Sequence, residues 1–136
     1  MKFLILTILI CGASVAWDLP ANVTVKGIFL CKKNKMAGIK VELMESTING
    51  DALLNSAIST YQGNFEVFSR KERFGMIEPF LNVYHNCRTV KKGCEIRSKY
   101  RIPPRKLNGV YDMNFVLLDI ASADRINCVK RREVNE

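Results

Sequence analysis

The 136-residue sequence predicts an all-β fold: an antiparallel β-sandwich of about seven strands, with room for one short helix. Two observations carry this. Apolar residues recur with a period of two, the mark of strands packed on one face and wet on the other. Turn-forming clusters separate these runs at short intervals, and many short strands in one small domain fit two stacked sheets.

The elements follow in order. Residues 1–16 have the features of a secretory leader: Lys2 as the basic start, an apolar run over residues 3–11, and Ser14-Val15-Ala16 before a cut. Trp17 would then be the mature N-terminus, and residues 17–136 a single domain. The apolar run is short of the roughly 20 residues that span a bilayer, so no transmembrane anchor is expected. The last five residues, Arg132 to Glu136, carry no retention or lipidation signal.

In the body of the chain, Val23, Val25, Gly27, Phe29 and Cys31 share one parity and predict the first strand. Ile39, Val41 and Leu43 predict the next, alternating with Lys40 and Glu42. Residues 51–59, with Ala52, Leu53, Leu54, Ala57 and Ile58, suit a short helix and a strand equally. Phe65 and Val67 follow the Gln62-Gly63-Asn64 turn. Ile77, Leu81, Val83 and Cys87 form a further series around Pro79. Ile96, Tyr100 and Ile102 alternate with Arg97, Lys99 and Arg101 until Pro103-Pro104, which cannot donate to a ladder. Tyr111, Met113, Phe115 and Leu117 close the pattern, and the polar tail from Ile120 is expected to run over the surface.

Five cysteines fall to four once Cys11 leaves with the leader. An even number in an exported domain implies disulfides, and four allow three pairings. Cys87 and Cys94 flank a hairpin loop containing Arg88, Lys91, Lys92 and Gly93, which favours Cys87–Cys94 and leaves Cys31–Cys128. A zinc site is disfavoured, because no C-x₂-C knuckle is present and His85 is the lone histidine. No metal and no cofactor is expected.

The net charge of +8, reduced by one when Lys2 is removed, points to acidic partners. Export excludes nucleic acid and favours an anionic lipid or glycan surface, or a protein receptor in the extracellular space. The candidate ligand-binding residues are Arg97, Lys99 and Arg101 on one strand face, with Arg88, Lys91 and Lys92 in the preceding loop. Asn22-Val23-Thr24 is a glycosylation sequon. No catalytic residue is assigned. Glu42, Glu45, Asp112 and Asp119 are taken as solvated charges, and His85 as a packed structural side chain.

Several phrases in this order resemble the nematode transthyretin-like family of small secreted proteins. They are residues 25–31 (VKGIFLC), 37–43 (AGIKVEL), 51–54 (DALL), 63–67 (GNFEV) and above all 81–87 (LNVYHNC). Cys94, Ile102-Pro103, Val110-Tyr111-Asp112 and Cys128 complete the match. Met36 and the Ser59-to-Gly63 turn depart from the proline and the acidic turn common in that family. The resemblance implies a transthyretin-like (prealbumin-like) sandwich in the extracellular space, with no thyroid-hormone carriage implied. The hydrolase on this fold, 5-hydroxyisourate hydrolase, needs several imidazoles and a Tyr-Arg-Gly-Ser ending; this chain has one histidine and lacks that ending. The expected function is a secreted, non-enzymatic binding or signalling module. The alternative is a carrier of a small apolar ligand or lipid in a cavity or dimer channel.

Overall fold

The computed structural model describes residues 21–71, 78–89, 92–120 and 123–128. The leader, Trp17, Ile77 and Lys91 lie outside the described residues. Nine strands are present among those described: β1 (Ala21–Cys31), β2 (Asn34–Lys35), β3 (Lys40–Thr47), β4 (Gly50–Ile58), β5 (Asn64–Lys71), β6 (Glu78–His85), β7 (Cys94–Arg101), β8 (Gly109–Leu117) and β9 (Ala123–Cys128). A single 3-10 turn, Pro104–Lys106, follows the proline pair that ends β7.

The strands form two sheets. In the first, β1 lies between β5 and β8, with the short β2 paired to its end. In the second, the order is β4-β3-β6-β7-β9 and every neighbour is antiparallel. The β-sandwich expected from the alternation is therefore the fold, with one departure: β8 runs parallel to β1. A chain that leaves β7 in one sheet and enters the other through β8 has no hairpin to impose antiparallel pairing.

Period-two patterning sets the core. Val23, Val25 and Phe29 of β1, Val41 and Leu43 of β3, Phe65 and Val67 of β5, and Leu81 and Val83 of β6 all face inward and are buried. Each such side chain contributes about 1.5–3 kcal/mol on leaving water. The Phe29 and Phe65 rings stack at 4.4 Å between centroids. Gly27 permits that approach, because a Cβ there would stand 3.0 Å from the Phe65 ring and 3.1 Å from the Asn114 carbonyl oxygen. The β1–β8 register slips at this point.

Residues 51–59 resolve as strand. Thr47 and Gly50 close a tight turn in which the Thr47 hydroxyl donates to the Gly50 carbonyl and accepts from Asn49 N–H. The turn carries β4 back along β3 from Gly50 to Ile58. The ladder decides between the helix and the strand that Ala52, Leu53 and Leu54 suit equally. The expected surface tail also needs correction, since Ala123–Cys128 is strand β9, paired to β7. Its side chains are largely exposed, so it carries little apolar alternation to read. Glu45 is a further correction: it faces inward with only 1% of its surface exposed.

The disulfides pair differently from the sequence expectation. They are Cys31–Cys87, with Cα atoms 5.8 Å apart, and Cys94–Cys128. Continuing the His85↔Ile96 register would set Cys87 opposite Cys94. β6 stops at His85, however, and the Asn86 carbonyl accepts from Thr89 N–H in a turn. Cys87 thereby leaves the second sheet and meets Cys31 at the end of β1 in the first. Cys94 then bonds to its register partner on β9, a strand that the sequence does not mark by apolar alternation.

Candidate functional site

Two groups of polar residues stand apart from the apolar core. The first is buried. His85 closes β6 on the inward parity and is 3% exposed. Its Nδ1 accepts the Cys87 backbone N–H at 3.2 Å, so the proton of the neutral ring is on Nε2. Nε2 then donates to Ser98 Oγ at 2.9 Å, and Ser98 Oγ donates to Asp124 Oδ1 at 2.6 Å. The other Asp124 oxygen takes the Arg88 guanidinium, whose Nε also donates to the Leu118 carbonyl at 3.2 Å. Ser98 and Asp124 are direct register partners on β7 and β9, and His85 comes from the neighbouring β6.

Serine, histidine and aspartate are the side chains of acyl-transfer triads, but the direction of donation differs here. A nucleophilic serine gives its proton to the imidazole. In this network the imidazole donates to the serine, and the serine proton points at the carboxylate. The arrangement ties β6, β7, β9 and the β6–β7 loop together.

Burial, then the nearby Arg88 cation, lowers the His85 pKa, with Asp124 acting in the opposite sense. The folded state therefore favours neutral His85, and the unfolded chain binds its proton more readily. Stability from this group is full above the ordinary histidine value of about 6.5 and is lost as pH falls from there through the folded pKa. His85→Gln should flatten the loss of unfolding free energy as pH falls below about 6.5. An unchanged acid slope in urea titrations would contradict the assignment.

The second group is basic and faces outward from the second sheet. Arg97, Lys99 and Arg101 alternate along β7 with the inward Ile96, Ser98 and Tyr100. Arg101 pairs with Glu78 at 2.9 Å, an exposed contact worth little in water. Lys99 lies over the Phe80 ring, 4.3 Å from its centroid, and Phe80 is buried although it points outward. Arg97 sits between Tyr84 on β6 and Arg125 on β9. The Tyr84 hydroxyl donates to Glu42 at 2.7 Å; burial and then Glu42 raise its pKa, and Arg97 opposes them. Glu42 is thus hydrogen-bonded and not merely solvated.

Among the loop cations of the expected stripe, Lys92 is exposed and Lys91 is outside the described residues. Arg88 is turned into the buried network and is not part of the outer face. Arg125 joins the face in its place. It had no signal in the sequence, because β9 itself was not legible. Ser98 did have one: it shares the inward parity of Ile96 and Ile102, and a hydroxyl at such a position needs a partner.

On the first sheet, Phe68, Val110, Phe115 and Leu117 are exposed. An open recess of about 620 Å³ lies on the same sheet, lined by Lys26, Ile28, Ile58, Glu66, Asp112 and Phe115 among others. Asn22 of the sequon is half-buried within β1; its backbone N–H bonds to Asn108 Oδ1, and its carbonyl accepts from Asn108 N–H. Among the described residues no group of His, Cys, Asp and Glu could hold a metal ion. No helix among them is long and apolar enough to cross a membrane, which says nothing of strand-built spans.

The fold and site define a two-sheet sandwich, cross-linked by two disulfides, with a buried polar network at one end and a cationic outer face. A family model described as "TTR-52: Transthyretin-like family" matches residues 26–103. Transthyretin-like protein 16 of Caenorhabditis elegans is 37% identical over 100 residues, covering 73% of this chain and 76% of the relative. Transthyretin-like protein 5 of the same organism is 26% identical over 126 residues, covering 87% and 91%. The chain belongs to the transthyretin-like family. A solved 9R-lipoxygenase from Cyanothece overlays 78% of this chain and 17% of its own at a TM-score of 0.43 and 10% identity, too loosely to bear on fold or activity.

Proposed function

We propose that this protein is a secreted, non-enzymatic extracellular binding module that contacts an anionic lipid or glycan surface, or an acidic receptor, through the outer face of its second sheet. One observation carries the reading: Arg97, Lys99 and Arg101 of β7 and Arg125 of β9 project from one face of two adjacent strands. Cations spaced by two along a strand make a continuous contact for an acidic surface. The two disulfides suit an oxidising compartment. The non-enzymatic part is supported by the direction of the His85–Ser98–Asp124 bonds and by Ser98 being buried. Turnover of hydroxyisourate by the purified protein would overturn that part.

The binding part is tested by reversing Arg97, Lys99 and Arg101 to glutamate together. Retention on heparin or on anionic vesicles at physiological salt should be abolished, and unchanged retention would overturn the reading. Carriage of a small apolar ligand is favoured by a different observation, the exposed Phe68, Val110, Phe115 and Leu117 of the first sheet, with Phe115 lining its recess. Under that reading a fluorescent fatty-acid probe would bind stoichiometrically, and Phe115→Ser would release it.

A further inference from the structure

Arg97 and Arg125 are direct register partners on antiparallel β7 and β9, and both point outward. Like charges set directly opposite each other destabilise a sheet. Among the described residues, the ion pairs seen on this sheet use Lys40, Arg88 and Arg101, and none uses Arg97 or Arg125. The two arginines line a recess of about 400 Å³ with Tyr84, Glu95, Ile126 and Asn127. Arg97 is half-buried, and the Tyr84 side chain that it faces is itself fixed by its bond to Glu42.

We infer that this recess is a discrete site for one tetrahedral oxyanion, a sulfate ester or phosphate monoester carried on a polar molecule, bridged between Arg97 and Arg125. The inference rests on the binding role proposed for this outer face and narrows it to one point.

Two guanidinium forks on neighbouring strands can each present paired N–H donors to the oxygens of a single such group. The bound anion would remove the repulsion that the empty pair carries. The Asn127 amide lines the same recess and can supply a neutral donor. Glu95 also lines it, two residues before Arg97 on the same face, and acts against an anion. The recess therefore holds two cations and one carboxylate, a balance that attracts a small anion without being a broad basic patch. Lys99 and Arg101 lie farther along β7, over Phe80 and beside Glu78, and take no part in it.

The test is a titration of the oxidised protein with inorganic sulfate, followed by NMR of the arginine Nε–H resonances. Saturable shifts confined to Arg97 and Arg125 are expected. Arg125→Gln should weaken sulfate binding about tenfold, the size of one charge-assisted contact, while Lys99→Gln with Arg101→Gln should change it less than about twofold. Glu95→Gln should tighten it. Arg125→Gln should also raise the unfolding midpoint in sulfate-free buffer, which shows that the variant is folded. Competition by a heparin-derived sulfated disaccharide and by O-phosphoserine identifies the carrier, and displacement by either supports the site. If sulfate gives no saturable shift while heparin retention persists and is lost on reversing Arg97, Lys99 and Arg101, the discrete site is overturned and the basic-face reading stands. If heparin and vesicle retention are absent as well, both fall.

Discussion

Replacing Cys31 and Cys87 by serine should lower the unfolding free energy by about 4 kcal/mol, from the chain entropy that a cross-link of this span removes from the unfolded state. The two residues are 56 apart in sequence. The Cys94–Cys128 bond spans 34 residues, and the same entropic argument gives it only a few tenths of a kcal/mol less. The two bonds differ in what they join. Cys31–Cys87 links the two sheets, between which no hydrogen-bond ladder runs among the described residues, so its loss loosens the whole sandwich. Cys94–Cys128 lies within the β7–β9 ladder. Its loss should first fray β9, and with it Asp124, seen as faster amide exchange on residues 123–128 before the global midpoint moves. Urea titrations of the two double-serine variants measure the first effect. Peptide mapping without reduction checks the pairing, and recovery of a Cys87–Cys94 peptide would overturn it.

The second large effect is expected at Arg88. Its side chain is partly sheltered, at 27% exposure, and the Asp124 carboxylate that it neutralises is at 13%. Removing one member of a sheltered pair leaves the other charge without its counter-ion, at a cost of about 3 kcal/mol. Arg88→Met keeps much of the side-chain volume, so the loss it shows belongs to the charge and its hydrogen bonds. A loss under about 1 kcal/mol would mean that water replaces the guanidinium. Heparin retention of Arg88→Met should equal that of the unaltered protein, because Arg88 points into the sandwich. Lower retention at unchanged stability would return Arg88 to the outer face.

Much of the scaffold is legible in the sequence. Alternation placed β1, β3, β5, β6, β7 and the first half of β8, because the apolar parity of each faces the core. It did not hold along β8: the register slip against β1 turns Phe115 and Leu117 outward and buries Val116, so these two residues do not share the inward face expected with Tyr111 and Met113. Nor did it show that the outer face of β6 is covered at Phe80 and Asn82. It failed at β4, where alanines and leucines suit either backbone and the turn at Thr47 and Gly50 decides. It failed again at β9, whose exposed side chains leave no burial pattern. That second failure had consequences. Without β9, Cys94 lost its real partner, and the hairpin loop offered Cys87 instead. Ser98 likewise lacked its acceptor, Asp124, and Arg97 lacked its neighbour, Arg125.

What the sequence determined by itself, then, is everything that depends on local periodicity and composition: an all-β sandwich, four cysteines in the body of the chain to form cross-links, a family resemblance, and a row of cations on one face of β7. The tertiary structure alone decided the pairings between distant segments. Which sulfurs meet, which way the His85 proton points, and which arginine stands opposite Arg97 all depend on strand order. Strand order is set by how two sheets close over a shared core, and that closure is a property of the whole chain.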